Sequence, residues 1–395
     1  DAGRRRGYPR VAGAERAWLF RRYQLLVEDG KISALCQPAP EGVIRVDAAG
    51  GYVLPGFIDL HVHGGGDGDF MDATPQAFQQ AAETHLRHGT TALAVTTMTC
   101  PDPLLEKTVQ CFLEARRHPG RGAQLLGLHL EGPFFSAASK GAQPVRVQRT
   151  PTRDMLEHFL RLAQGCILRW DMAPELPGME LFARVMRENG VMAAVAHTAA
   201  NAETALRAFD SGFSHVTHFY NATSTFHKEN GIVHAGVIEA TYLRDDVTIE
   251  LIGDGRHIPR ESMQLACKIK GADKIALITD AMRAAGTSCV HSVLGPREGG
   301  VPVVVKDDVA QLEDFSSYAG SVCTMDRALR TAHVQYGLPL RDVSQMLSLT
   351  PARLCGLQKR KGSLETGKDA DLVLMSPDFQ VRQVYVQGEK RYQAE

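Results

Sequence analysis

The chain has 395 residues, a formal net charge of −1 (44 Lys and Arg against 45 Asp and Glu) and 44% hydrophobic residues. That length exceeds one small domain and suffices for a large α/β barrel with an accessory domain. Near-zero charge provides no field for nucleic acid or an anionic membrane, and no apolar run approaches the roughly 20 residues that span a bilayer.

The first ten residues, DAGRRRGYPR, are locally basic and read as a solvated tail. No apolar stretch near the start has the make-up of a secretory signal. The eight cysteines include no CxxC pair, and the chain is too large to depend on a disulfide framework. Reduced, mostly buried thiols in a cytoplasmic protein are expected.

The stretch YQLLVEDGKISAL at 23–35 reads as two short strands around a turn. Eight near-continuous apolar runs follow, at 57–60, 92–96, 125–130, 167–172, 191–196, 215–217, 247–252 and 275–279. Such runs suit strands buried on both faces. Amphipathic segments separate them. In TPQAFQQAAETHLRHG, Thr74 suits an N-cap, Pro75 the first helical position and Gly89 the position after the last turn. Phe78, Ala81, Ala82 and Leu86 share one face of that helix.

Eight strands with intervening helices predict an α/β fold, a (β/α)8 TIM-type barrel, with a doubly wound open sheet as the alternative. The C-terminal run GKDADLVLMSPDFQVRQVYVQGEKRY again reads as short strands and turns. Residues 1–55 and 357–395 are therefore expected to form one small β-sandwich domain around a barrel at 56–356. A hairpin-bearing insertion is expected near 290–317.

Chemistry concentrates at the strand ends. PGFIDLHVHGGGDGDF places His61 and His63 at the end of the first strand, two apart and so on one face. Glu131 follows the third strand, His197 the fifth, His218 the sixth and Asp280 the eighth. The C-terminal strand ends of such a barrel form one rim, where active sites lie. Imidazole is a good ligand for Zn, Fe, Ni and Cu ions. Gly64, Gly65 and Gly66 are expected to let the backbone turn and to leave room for substrate. A lone strand-end His is more often a hydrogen-bonded core residue, and Glu131 or Asp280 alone suits a helix cap. Six such residues at the strand ends of one barrel argue for a metal site. His129 and His215 lie inside apolar runs and read as core; His85 and His88 read as a solvated helix face. His227 and His257 fall in loops beyond the rim, where substrate contacts arise.

PGFIDLHVHGG with a late strand-end Asp resembles the amidohydrolase superfamily of metal-dependent barrels. GLHLEGPF, KGAQP, MAPE, AHT, THFYNA, DGRH, LITDAM and AGS follow in that order, and together are similar to the N-acetylglucosamine-6-phosphate deacetylase family. The resemblance covers roughly residues 23–389. It implies that Glu131, His197 and His218 hold the main metal and that Asp280 is both a metal ligand and the catalytic acid/base. His61 and His63 match the pair present in a two-metal branch; a one-metal branch lacks them. Where that branch has a His in the loop after the third strand, this chain has Gln143; the metal, with help from Gln143 or the second ion, would stabilise the oxyanion. The divalent cofactor would be Zn, Fe, Mn or Co, one or two ions per chain.

The resemblance further implies substrate contacts at Ala142, Gln143, Asn221, Ala222, His257, Tyr318, Ala319 and Gly320. The expected partner is a small amino-sugar phosphate, and the expected assembly a homodimer, with no nucleic acid and no membrane. The family's phosphate-binding Arg is absent from FHKENG, which leaves His227 or Lys228 for that role. No Lys sits at a strand end in a place that suits a carbamylated bridge. The implied reaction is hydrolysis of the acetamide of N-acetyl-D-glucosamine 6-phosphate. A related N-acetyl hexosamine, with or without phosphate, is the neighbouring alternative. A non-catalytic barrel scaffold is opposed by the retention of all six donors.

Overall fold

The computed structural model describes residues 24–36 and 41–395, and the basic N-terminal run lies outside them. Eight parallel strands form the central sheet: β1 (Phe57–Val62), β2 (Thr90–Thr96), β3 (Gln124–Phe134), β4 (Ile167–Met172), β5 (Met192–Val195), β6 (Phe213–Val216), β7 (Thr248–Ile252) and β8 (Ile275–Ile278). They pair in chain order from β1 to β8. The seam closes just past the strand ends. Asp280 N donates to His61 O at 2.9 Å, and His63 N to Ala281 O at 2.8 Å. The sheet is thus a closed barrel, as the eight apolar runs predicted, and closure leaves no open edge.

One strand differs from expectation. β3 continues to Phe134, so Glu131 sits within the strand rather than beyond it. The helix predicted after β1 spans Pro75–Arg87, with the Thr74 hydroxyl accepting from Ala77 N at 3.3 Å. Gly89 ends it at φ +90°, where a Cβ would lie 2.7 Å from the Phe57 ring. Both left-handed backbone and close packing therefore require glycine there.

The hairpin Gln24–Glu28 and Lys31–Cys36 faces a four-stranded antiparallel sheet of Tyr52–Pro55, Leu372–Met375, Val381–Val386 and Glu389–Gln393. Ile32, Ala370, Leu372 and Leu374 pack as one buried cluster in this part of the chain. Leu86 packs against Val384 and Val386, which ties this β-rich unit to the barrel.

The insertion expected near 290–317 follows β8 and runs to Ser321. Four antiparallel strands, His291–Leu294, Val301–Lys306, Val309–Leu312 and Tyr318–Ser321, form a meander. Its last strand returns to the barrel, where Ser321 N donates to Asp280 O at 2.7 Å. This return brings Tyr318 and Gly320 over the rim. Among the described residues, no helix is long and apolar enough to cross a membrane.

Candidate active site

The rim gathers the six strand-end residues into two groups of donors. His61, His63 and Asp280 form one; Glu131, His197 and His218 form the other. In the first, His61 Nε2 and His63 Nε2 lie 3.4 and 3.3 Å from the same Asp280 oxygen and 3.3 Å from each other. In the second, His197 Nε2 and His218 Nε2 lie 3.0 and 3.2 Å from Glu131 Oε1 and 3.1 Å apart. The other Glu131 oxygen, Oε2, lies 3.3 Å from His63 Nε2. One carboxylate therefore faces both groups.

Local backbone geometry aims these side chains inward. His197, His218 and Asp280 follow β5, β6 and β8 with φ of +45°, +30° and +50°. Left-handed backbone at a residue other than glycine costs about 1–3 kcal/mol and persists where the surrounding structure over-determines it. Here the barrel wall and the loop hydrogen bonds supply that constraint.

The ring orientations fit a cation. His197 Nδ1 faces Ser139 O at 3.0 Å, and His218 Nδ1 faces Asn221 O at 3.0 Å. A carbonyl only accepts, so each Nδ1 carries the hydrogen and each Nε2 presents a lone pair. Two lone pairs 3.1 Å apart repel unless a proton or metal ion lies between them. Ligand atoms held at ~2.0–2.1 Å by one tetrahedral ion lie ~3.3 Å apart, close to these separations. The mixed imidazole and carboxylate donors suit a divalent metal ion.

Electrostatics agree with this fit. Burial alone would lower His63, but its contacts with Asp280 and Glu131 outweigh that and raise it to about 10. His218, equally desolvated, rises to about 9 through Glu131. Burial would raise Glu131, yet His197, His218 and His63 hold it well below the usual carboxylate range. Asp280, also opposed by burial, is lowered by His61 and His63. Both carboxylates are thus ionised at neutral pH, and the site is built for positive charge.

Above the donors lies a cavity of about 610 Å³. Ala142, Gln143, Asn221, Ala222, His227, His257, Tyr318 and Gly320 line it, together with His63, Glu131, His197, His218 and Asp280. Gln143 accepts from Thr99 N at 3.0 Å and donates to Glu131 Oε2 at 2.7 Å. His257 is fixed through Nδ1 to Asp254 at 2.7 Å, with its ring 4.7 Å from that of Tyr318.

Two of the expected substrate contacts do not line the cavity. Lys228 sits on the short strand His227–Glu229, where alternation puts it on the face opposite His227. Ala319 is fully buried between the lining residues Tyr318 and Gly320. Among the described residues, the lining includes no Lys or Arg.

Three further expectations are corrected. Gly64, Gly65 and Gly66 do not make room for substrate, since none lines the cavity. A Cβ on Gly64 would lie 2.2 Å from Gly68 O, and one on Gly66 2.1 Å from Thr84 Oγ1. Gly64 thus serves the turn of the loop on itself, and Gly65 and Gly66 its close approach to Thr84 and His85 of helix Pro75–Arg87. His85 is not solvated: it is fully buried and its Nε2 bonds Gly64 O at 2.9 Å, anchoring the same loop. His88 is only partly exposed and pairs with Asp326 at 3.2 Å. His129 and His215 are buried as expected, but among charges. His129 lies 2.8 Å from both Asp171 and Arg169 Nη2, and Arg169 pairs with Glu250 beside His215. Sequence reading missed this network; its signal is the presence of Arg169, Asp171 and Glu250 inside strands otherwise apolar.

The amidohydrolase family model matches residues 52–391. The chain belongs to the amidohydrolase family, in the N-acetylglucosamine-6-phosphate deacetylase branch. N-acetylglucosamine-6-phosphate deacetylase of Lysinibacillus sphaericus is 33% identical, covering 93% of this chain and 92% of that protein. N-acetylgalactosamine-6-phosphate deacetylase of Escherichia coli O157:H7 is 32% identical, covering 95% and 96%. The structure is similar to that of a mutant N-acetyl-D-glucosamine-6-phosphate deacetylase from Mycobacterium smegmatis, in complex with N-acetyl-D-glucosamine-6-phosphate. That likeness has a TM-score of 0.86 and 30% identity, and covers 93% and 94% of the two chains.

Proposed function

We propose that the protein hydrolyses the acetamide of N-acetyl-D-glucosamine 6-phosphate, giving D-glucosamine 6-phosphate and acetate. The observation that carries this reading is the shared carboxylate of Glu131 between two donor groups at the floor of a sugar-sized cavity. The relatives named above support the substrate class.

In this reading Glu131, His197 and His218 would hold one divalent ion, and His61, His63 and Asp280 a second, with Glu131 facing both groups. Bound there, the metal supplies Lewis acidity and lowers the pKa of water from about 15.7 to about 7. Asp280, ionised and at the cavity floor, takes the proton of the attacking water and returns one to the leaving nitrogen, because an amine leaves poorly without it. Gln143 spends one N–H on Glu131 and offers its second to the acetamide oxygen as that atom gains charge. Asn221, Ala222, His257, Tyr318 and Gly320 form the walls against which the sugar ring is oriented.

The phosphate falls to His227, which lines the cavity with Nδ1 turned to Thr225 O at 2.8 Å and Nε2 left to donate. Lys228 reaches a phosphate only in the cavity of a second chain. A homodimer is the assembly we propose, with Phe226, Ile232 and Val233 exposed on the hairpin where a second copy would approach.

N-acetyl-D-galactosamine 6-phosphate is the second reading, favoured by the 32% identical Escherichia coli relative. Acetate release from both epimers, each with and without the 6-phosphate, tests the assignment. The highest kcat/KM is expected on the glucosamine 6-phosphate derivative. Preference for either unphosphorylated sugar would overturn the phosphate reading, and absence of acetate release from all four would overturn the function.

A further inference from the structure

The three donor histidines with partnered Nδ1 atoms are not held alike. His197 and His218 turn Nδ1 to main-chain carbonyls. His61 turns it to a carboxylate, lying 3.3 Å from Glu250 Oε2. Glu250 is on β7, fully buried, and its other oxygen is paired with Arg169 of β4 across the barrel interior. Arg169 also contacts His129 Nδ1 at 2.8 Å and stands 3.4 Å from Asp171. This layer fills the interior directly beneath the donor cluster. The proposed reaction gives it no part.

We propose that Glu250, held by Arg169, is a positioning residue for His61 and determines whether the group His61–His63–Asp280 takes up its own divalent ion; this rests on the reading that the cluster holds two. The carboxylate keeps the hydrogen on Nδ1, so Nε2 presents its lone pair to the point shared with His63 and Asp280. A carboxylate behind an imidazole also makes the ring a stronger ligand than a carbonyl does. That matters more for this group than for the other. Among the described residues His63 Nδ1 has no hydrogen-bond partner, so of this pair it is His61 that has an orienting contact at Nδ1. Arg169 fixes the rotamer of Glu250 and balances its charge, since a lone carboxylate in the barrel interior would be too costly.

The experiment is a titration of the metal-free protein with cobalt(II), read by calorimetry and elemental analysis, on wild type, Glu250→Gln and the double variant Arg169→Met/Glu250→Gln. The double variant removes the Arg169–Glu250 pair as a unit and leaves Asp171 its contact with His129, and so keeps the test open if Arg169 without Glu250 prevents folding of the single variant. Wild type is expected to take up two ions per chain. The variants are expected to bind one ion within about threefold of wild type and the other about 10–100-fold more weakly, with metal-free unfolding still cooperative. Two ions bound by the double variant with wild-type affinities would overturn the role of Glu250, and so would equal weakening of both. A wild type that never exceeds one ion would instead overturn the two-ion reading.

Discussion

His61, His63 and Asp280 stand at the seam where β1 meets β8, and are braced by Asp280 N to His61 O, His63 N to Ala281 O and the buried Glu250–Arg169 pair below. Glu131, His197 and His218 come from β3 and the ends of β5 and β6, and the two histidines are clamped by Ser139 O and Asn221 O from loops that line the cavity. The seam group is therefore tied to barrel closure and interior charge. The second group is tied to the walls that touch substrate. Only Glu131 belongs to both, so each group is expected to fail separately when its own supports are changed.

The sharpest break falls on Asp280. Asp280→Asn keeps the size and one oxygen but removes the base, and turnover is expected to fall by at least the roughly 10²–10⁴-fold that general acid–base catalysis supplies. The measurement is kcat together with metal content, which should stay high; near-normal turnover removes Asp280 from the mechanism.

Next, replacing both His61 and His63 by Ala is expected to lower metal content from about two ions to about one per chain, because the group of Glu131, His197 and His218 survives. Elemental analysis after loading with excess metal decides this, and loss of all metal would show that the two groups are not separable.

A smaller effect probes the cavity wall. His227→Ala is expected to raise KM for the 6-phosphate sugar by roughly tenfold, the scale of one charge-assisted contact, and to leave the unphosphorylated sugar nearly unchanged. Equal effects on both would remove His227 from phosphate binding.

The smallest effect at neutral pH concerns the loop anchor His85, which burial lowers to about 4 from an ordinary 6.5. The folded state disfavours the charged ring, so its stabilising contribution is full above about 6.5 and is lost as pH falls from there towards 4. In His85→Gln, which keeps an N–H for Gly64 O, thermal unfolding is expected to show a shallower loss of stability across that window. An unchanged pH profile would rule out His85 as a source of acid sensitivity.

Much of this was readable from residues alone. The eight strands were visible because strands buried on both faces must be apolar throughout, and the six donors because they interrupt those runs at one end. What escaped was set by packing. His85 looked solvated as one of two histidines on a helix, although positions 78, 81, 82, 85 and 86 share one face, and that face is buried. The glycines after His63 pointed to a tight turn with room for substrate, but only the fold reveals that the room at Gly65 and Gly66 is taken by the helix. Lys228 and His227 are neighbours in sequence, and strand alternation sends only one of them into the cavity. Arg169, Asp171 and Glu250 offered no pairing in sequence, since their partners lie on different strands and meet only when the barrel closes.

The central claim is that water attacks the acetamide carbon at this cluster. Turnover of N-acetyl-D-glucosamine 6-phosphate in water labelled with heavy oxygen, followed by mass spectrometry of the acetate, tests it most directly. The account predicts one labelled oxygen in each acetate and loss of the reaction in Asp280→Asn. Unlabelled acetate, or undiminished release by that variant, would contradict it.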